Sequence, residues 1–168
     1  LAAALDKARL AEAVIDSVSD PIFMKDENLD FVMVNQAFAD FFGKTPADMV
    51  GHRGGDFVSP QEAAEFEETE RAVLETGVPY EVEEDFDFRG APKSRIVRKS
   101  RVTLPGGKAF VACTIFDVTE LKRRETDARE ARAQLETVLE SLPAGVIIYD
   151  RDNRFVYGNR KIMETMPA

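Results

Sequence analysis

The sequence predicts an α+β fold, in which two short strands, several short helices and one longer helix are followed by three longer strands. The first observation is a set of apolar runs at residues 21–24, 31–34 and 109–116, which are rich in branched and aromatic residues and typical of strands. The second is a pair of helix-start signals between these runs, at Asn35 and Ser59. The third is an internal repeat, which places the same two-strand unit twice in the chain.

Composition indicates a globular protein with one good core. The chain has 168 residues, of which 44% are hydrophobic and 32% are charged. No apolar run approaches the roughly 20 residues that span a bilayer, so we predict no membrane span. A single cysteine excludes an internal disulfide and fits a reducing compartment, so we expect the protein to be cytoplasmic.

The charges are segregated along the chain, whose formal net charge is −9. Residues 62–87 hold eleven carboxylates against one cation, and residues 89–108 hold seven cations and no carboxylate. Opposite charges on neighbouring antiparallel strands favour strand pairing, which explains the basic block without nucleic acid. An acidic protein also binds phosphates poorly, so we predict no nucleic-acid partner. The acidic surface of residues 62–87 leaves open the alternative of a basic protein partner.

The elements begin with a predicted helix at residues 1–16, where good helix formers dominate and apolar residues fall near heptad spacing. Strands 21–24 and 31–34 follow, separated by a polar stretch suited to a hairpin. Asn35 is expected to cap a short helix that Gly43 ends. Since the chain opens without Met, we expect it to be a fragment of a longer protein.

The longer helix has a strong start signal. Thr45 and Pro46 first predict a helical turn. Ser59 and Glu62 then form a capping box, which predicts a helix from Pro60 to about residue 76. Three strands are predicted after this helix, and the two segments that connect them are rich in glycine and proline. The strands are at about 80–88, 94–104 and 109–118, and the connections are at 89–93 and 105–107.

Residues 14–35 align without gaps on residues 138–159, at a constant offset of 124. Several aligned pairs are identical, including Asp26 with Asp150 and Asn35 with Asn159. The repeated unit reads as a helix end, a strand, an acidic turn, a second strand and an Asn. The second copy has too few residues left in the chain to fold alone.

The last predicted strand is followed by a second long helix. Asp117 and Thr119 are residue types that accept hydrogen bonds from a helix's first turn. Beyond them, most a and d sites of one heptad register are apolar. The polar residues Glu125 and Arg132 occupy two a sites and weaken the middle of this apolar stripe. The apolar sites are Val118, Leu121, Ala128, Leu135, Leu139 and Leu142. This stripe suits a two-stranded coiled coil, so we predict a homodimer.

The run Asp117, Val118, Thr119 and Glu120 resembles the Asp-Ile-Thr-Glu signature at the end of PAS domains, the sensor modules of bacterial signalling proteins. The repeated unit resembles the opening of a PAS domain. The resemblance implies a five-stranded antiparallel sheet in the order 2-1-5-4-3, with short helices on one face. It also implies that flanking helices or a second subunit contact the sheet's other face.

These observations divide the chain into four parts. They are a linker helix at residues 1–16, a PAS domain at 17–119, a coiled-coil linker helix at 120–142 and the start of a second, truncated PAS domain at 143–168. We expect the truncated copy to be exposed, swapped or paired with another chain's sheet edge.

The resemblance implies the sensory region of a bacterial sensor histidine kinase with tandem PAS domains. A ligand or partner would alter the coil between the domains, and a downstream kinase domain would read the change. The expected relay residues are Asp117, Thr119, Leu121, Leu135 and Leu139. Two alternatives stay open, an interaction scaffold without ligand and the regulatory region of a cyclic-dinucleotide enzyme. No nucleophile or phosphate-binding motif is present, so we predict no catalytic residue in this chain.

The twelve phenylalanines either line a pocket for a small apolar ligand or simply fill the core. The filled core is the favoured interpretation. The pocket candidates are Phe23, Met33, Phe38, Phe42, Phe66 and Cys113. We interpret Cys113 as a small buried residue of an apolar strand rather than a redox switch.

The sequence argues against the known cofactors of the family, and no cofactor is predicted. Haem-binding relatives carry their axial His on the longer helix, which here has none, and His52 lies in a glycine-rich loop. Flavin-binding light sensors carry an Asn-Cys-Arg motif, whereas the comparable stretch at residues 51–57 has no thiol. One His and one Cys also exclude a zinc site at ligand-like spacing. An unidentified small ligand remains the alternative.

Overall fold

A computed structural model describes residues 2–88 and 90–165, in two compact units, Leu1–Thr119 and Glu120–Ala168. The first unit contains five strands and four α-helices among its described residues. In chain order these are α1 (Ala2–Asp16), β1 (Ile22–Lys25), β2 (Phe31–Val34), α2 (Gln36–Phe41), α3 (Pro46–Met49), α4 (Pro60–Thr76), β3 (Tyr80–Phe88), β4 (Ala91–Thr103) and β5 (Ala109–Asp117). The second unit follows with α5 (Thr119–Ser141), β6 (Ile147–Tyr149), β7 (Phe155–Gly158) and α6 (Arg160–Met163).

The five strands of the first unit form one antiparallel sheet in the order β2-β1-β5-β4-β3, which confirms the predicted topology. Strand β5 lies in the centre, between β1 and β4. Its residues Val111 and Cys113 are buried, as its apolar sequence predicts. The sheet and α2 together bury an aromatic core that includes Phe23, Phe31 and Phe38.

The predicted helix caps are confirmed. The side chain of Asn35 accepts a hydrogen bond from the backbone N–H of Phe38 at the start of α2. Thr45 forms a capping box at the start of α3, and Ser59 forms one at the start of α4. Gly77 ends α4 with φ +72°, a left-handed conformation that favours glycine.

Strand β4 begins earlier than predicted, because the turn after β3 is tighter than the predicted connection at residues 89–93. Ala91 already pairs with Phe88, and Pro92 pairs with Asp87. Strand β5 pairs with β4 only from Arg95 onward, so β3 is the only strand that pairs with β4 at Pro92. The missing N–H of this proline therefore removes no hydrogen bond to β5. A further difference is a short 3₁₀ turn at Gly54–Asp56, within a segment that the sequence predicts as a loop.

The second unit reproduces the repeat in three dimensions. Strands β6 and β7 pair antiparallel, with the same irregularity of register that β1 and β2 have at the equivalent position. Asp150 accepts hydrogen bonds from the N–H groups of Asp152 and Arg154, as Asp26 does from those of Asn28 and Asp30. The two copies of the sequence repeat therefore also form equivalent hydrogen bonds in this turn.

Helix α5 is exposed along most of its length within one chain. Leu121 and Leu135 of its heptad stripe are 58% and 57% exposed, and none of its residues is buried. These leucines of the predicted stripe are therefore accessible on the surface of the single chain. Among residues 2–88 and 90–165, no helix is long and apolar enough to span a bilayer.

Candidate ligand-binding cavity

The first unit contains a cavity of about 510 Å³ between the sheet and helices α2 and α4, and this cavity is partly open to solvent. Its volume lies within the range of small-molecule sites, roughly 300–1,000 Å³. Aromatic side chains form much of its wall. They are Phe23, Phe31, Phe38, Phe41, Phe42, Phe57, Phe66, Tyr80, Phe86 and Phe88.

Five of the six predicted pocket residues line this one cavity. They are Phe23, Phe38, Phe42, Phe66 and Cys113. Met33 does not line it, and its predicted place in the pocket is therefore corrected. A bulge in the β1–β2 pairing causes the difference: Phe23 faces Val34 and Lys25 faces Phe31, which turns Met33 toward the opposite face together with Met24.

The phenylalanines serve both of the roles that the sequence leaves open. Phe23 and Phe38 have ring centroids 4.6 Å apart, and Phe23 and Phe31 meet edge to face at 5.3 Å. These rings are buried and belong to the core, yet each also contributes surface to the cavity. The same rings therefore belong both to the core and to the wall of the cavity.

A buried cluster of three charged side chains lies in the cavity wall. Lys25 on β1 donates to both carboxylate oxygens of Glu70 on α4, with Nζ to Oε1 and Oε2 distances of 2.9 and 2.8 Å. Lys99 on β4 donates to the Thr69 hydroxyl at 2.6 Å and to the Phe66 carbonyl at 3.3 Å. The Lys99 Nζ lies 3.7 Å from Glu70 Oε1, so all three groups form one network.

Sequence reasoning missed this cluster, although the helix pattern contained a signal for it. Glu70 lies four residues after Phe66 and three before Val73, so it falls on the inward stripe of α4. A carboxylate at such a position requires a buried partner, since an unpaired buried charge is costly. Lys25, at the end of an apolar strand, and Lys99 supply the positive charge.

Burial shifts the pKa values of two groups in this wall. Desolvation lowers the pKa of Lys99, an effect that the neighbouring Glu70 carboxylate opposes. Desolvation raises the pKa of the Cys113 thiol to about 12. Cys113 is therefore a neutral thiol at physiological pH, and it behaves as the small buried residue that the sequence predicts.

A smaller cavity of about 230 Å³ shares part of the main cavity's wall and is also lined by residues at the end of β5 and near the start of β4. Phe41, Phe86 and Phe88 line both cavities. Lys93 and Asp117 line only the smaller one, where their side chains form an ion pair at 2.7 Å. The three shared rings therefore separate the larger space from the residues that precede α5.

The junction between β5 and α5 is held by hydrogen bonds to β4. The Thr119 hydroxyl accepts from the Ser94 N–H at 2.9 Å, and the Val118 N–H donates to the Ser94 carbonyl at 3.0 Å. Thr119 thus binds β4 rather than capping the helix, which corrects the predicted role of its side chain. Asp117 accepts from Lys93 and from Thr119 N–H, and these hydrogen bonds lower its pKa to about 2.

The remaining predicted residues are not among those that line the main cavity. His52 is exposed, as expected, and its ring lies 3.2 Å from the Asp56 carboxylate. In the part of the chain that the structure describes, no group of three or more His, Cys, Asp or Glu residues could hold a metal ion. Leu121, Leu135 and Leu139 lie on α5, where they belong to the second unit.

Comparison with known families matches both parts of the chain. The family profile described as "PAS fold" matches residues 15–123, and the profile described as "PAS domain" matches residues 133–166. The first match contains the cavity and the junction, and the second contains the repeated unit.

Individual proteins match over parts of their length. The uncharacterized protein y4lL of Sinorhizobium fredii is 34% identical over 118 residues, which are 68% of this chain and 14% of y4lL. Vibrio cholerae VqmA, in a structure described as a VqmA–ligand–DNA complex, is 27% identical with a TM-score of 0.57, over 64% of this chain and 50% of VqmA. The PAS domain of Bordetella pertussis BvgS has a TM-score of 0.58 at 22% identity, over 75% of this chain and 98% of that domain. This chain therefore spans a seventh of y4lL and half of VqmA.

Proposed function

Because the chain belongs to the PAS family, whose fold is sensory and non-catalytic, we propose that its first unit binds a small ligand and passes the state of its cavity to α5. The observation that carries the proposal is the cavity of about 510 Å³ beside the core. It is partly open to solvent, and its aromatic walls offer apolar surface that a small ligand would bury. VqmA, one of the similar proteins, has a structure described as bound to DPO.

The relay runs through the wall between the two cavities. A ligand that displaces Phe86 or Phe88 changes the smaller cavity, in which Lys93 and Asp117 are paired. Asp117 lies two residues before the start of α5 and accepts a hydrogen bond from Thr119 N–H, so a shift of this pair alters how the helix begins. Only a ligand that binds one arrangement more tightly than the other can drive this change.

Helix α5 carries the signal onward as half of a dimeric coiled coil. Its exposed leucines, Leu121 and Leu135, support this step, because apolar residues at heptad spacing are buried when two such helices pair. The output in the parent protein is a histidine kinase domain, which reads the geometry of the coil. The protein acts in the cytoplasm as a homodimer.

A native mass spectrum of the freshly purified protein tests the ligand. We expect a mass in excess of the polypeptide under native conditions, which is lost on denaturation. A spectrum that equals the polypeptide mass in both conditions, before and after incubation with cell extract, would remove the ligand from the proposal.

Substitution of Leu135 by Asp tests the coil. Leu135→Asp places a charge in the apolar seam, and we expect it to convert a dimer to a monomer in analytical ultracentrifugation. Ala133→Asp is the matched control, since Ala133 lies outside the heptad stripe and is already exposed. A dimer that survives Leu135→Asp would exclude α5 as the dimer contact.

A further inference from the structure

The charged cluster in the cavity wall has an excess of one positive charge when its groups are ionised. Lys25, Glu70 and Lys99 have side chains no more than 5% exposed, so solvent screens them little. Two ammonium groups face one carboxylate. Buried charges in proteins are normally paired, and a single unpaired one is costly.

The excess charge lies mainly at Lys99, whose ion pair with Glu70 is the longer of the two. Lys25 takes both oxygens of the Glu70 carboxylate, whereas Lys99 lies 3.7 Å from the nearer oxygen, beyond hydrogen-bond distance. Its two hydrogen-bond acceptors, the Thr69 hydroxyl and the Phe66 carbonyl, are neutral. An ammonium group has three N–H donors, so beside these two acceptors the Lys99 group has the Glu70 oxygen as a third, more distant partner among the described residues.

The surroundings of this group are aromatic. The Lys99 Nζ lies 5.4 Å from the ring centroid of Phe66 and 5.7 Å from that of Tyr80. Both rings line the cavity, as does Lys99 itself. A ligand in this space therefore meets aromatic walls with a positive charge at one point.

Other carboxylates line the cavity but do not balance this charge. Glu62, Glu65 and Glu68 are exposed on α4, where water and salt screen their charges. Glu84 is paired with Arg95, at 2.6 Å. The buried part of the wall is thus positive, although the accessible part is acidic.

We propose that the cavity binds an aromatic carboxylate, whose anionic oxygen accepts from Lys99 while its ring packs against the phenylalanines. This assignment rests on the proposed ligand-sensing function and names the chemical class of the ligand. The anion completes the cluster, giving two cations and two carboxylates. It also offsets the desolvation that lowers the pKa of Lys99.

Two probes of similar shape test whether the ligand is an aromatic carboxylate. They are 2-naphthoate and the neutral 2-naphthamide, and each is titrated into the whole chain in a calorimeter. We expect 2-naphthoate to bind more tightly by about tenfold or more, the difference typical of a hydrogen bond between charged groups. Equal affinities, or a preference for the amide, would overturn the assignment. This comparison needs no substitution and so cannot fail through misfolding.

Lys99→Met then locates the preference. This substitution removes the charge of Lys99 and keeps an unbranched side chain only one atom shorter. It leaves Lys25 and Glu70 as an electrically neutral pair. We expect it to abolish the preference for 2-naphthoate and to retain 2-naphthamide binding. Arg98→Met is the matched control, because Arg98 immediately precedes Lys99 in β4, is exposed and pairs with Glu81 on β3. A preference that survives Lys99→Met would overturn the role of Lys99.

The two proposals fail differently. A ligand mass in the native spectrum together with equal affinity for the two probes would contradict the carboxylate assignment and leave ligand sensing in place. No ligand mass and no binding of either probe at millimolar concentration would contradict both.

Discussion

Phe31 and Phe155 occupy equivalent positions in the two copies of the repeat, yet Phe31 is 3% exposed and Phe155 is 52% exposed. Both lie at the start of the second strand of a hairpin. In the first unit, strands β3 to β5 extend the sheet and α4 lies against β4 and β5, enclosing the core around Phe31. The described residues of the second unit contain only the hairpin, the long helix α5 and the short helix α6, so Phe155 has no such surroundings.

Three hydrogen bonds of the buried asparagine are shared by the two copies despite this difference in burial. Asn35 accepts from Ile22 N–H and donates to the carbonyls of Ile15 and Asp20. The equivalent groups around Asn159 are the N–H of Val146 and the carbonyls of Leu139 and Ala144, and all three hydrogen bonds are present. Both asparagines are buried. The comparison teaches that local sequence alone forms the hairpin, whereas the aromatic core needs the rest of the domain.

The largest difference in the free energy of unfolding is expected between the variants Phe31→Ala and Phe155→Ala. Removing the buried Phe31 ring should lower the free energy of unfolding by about 3–5 kcal/mol, whereas the exposed Phe155 ring should contribute less than about 1 kcal/mol. Urea denaturation followed by circular dichroism measures both. Equal losses would show that Phe155 is buried in solution against a partner.

Asn35→Ala and Asn159→Ala should give a smaller contrast. Asn35→Ala leaves the N–H groups of Ile22 and Phe38 without their side-chain acceptor, which should cost about 2–3 kcal/mol in the unfolding of the first unit. Asn159→Ala should leave that transition unchanged, because the residues of its network belong to the second unit. A loss from Asn159→Ala as large as that from Asn35→Ala would mean that the two units unfold together.

Interactions between residues close in sequence could be predicted from the sequence. The Ser59 capping box and the Gly77 helix end each join residues within four positions, so composition at fixed spacing is sufficient to predict them. The sheet order came from a family resemblance, carried by residues 117–120, by the repeated unit and by the order of the predicted elements. The repeat predicted the second hairpin because both copies share the residues that form its hydrogen bonds.

The features that sequence reasoning missed depend on long-range packing. Lys25, Glu70 and Lys99 lie on three different elements, and only the folded sheet brings them together. Met33 is turned away by a bulge, which depends on how two strands pair rather than on either strand's pattern. The core and the cavity could not be distinguished by sequence either, since the same phenylalanines form both.

The most direct test of the relay is hydrogen exchange in a cavity-filling variant, Val82→Trp. Val82 is half-buried and lines the main cavity on β3, the strand that also carries Phe86 and Phe88, so the larger side chain should displace the shared wall. Val78→Trp is the control, because Val78 is 66% exposed.

We expect Val82→Trp, and not Val78→Trp, to speed exchange of the Ser94 and Val118 amides, whose hydrogen bonds join β4 to the start of α5. Circular dichroism establishes that each variant is folded. Unchanged exchange at both amides in folded Val82→Trp, with changes confined to β3 and α4, would contradict the relay from the cavity to the helix.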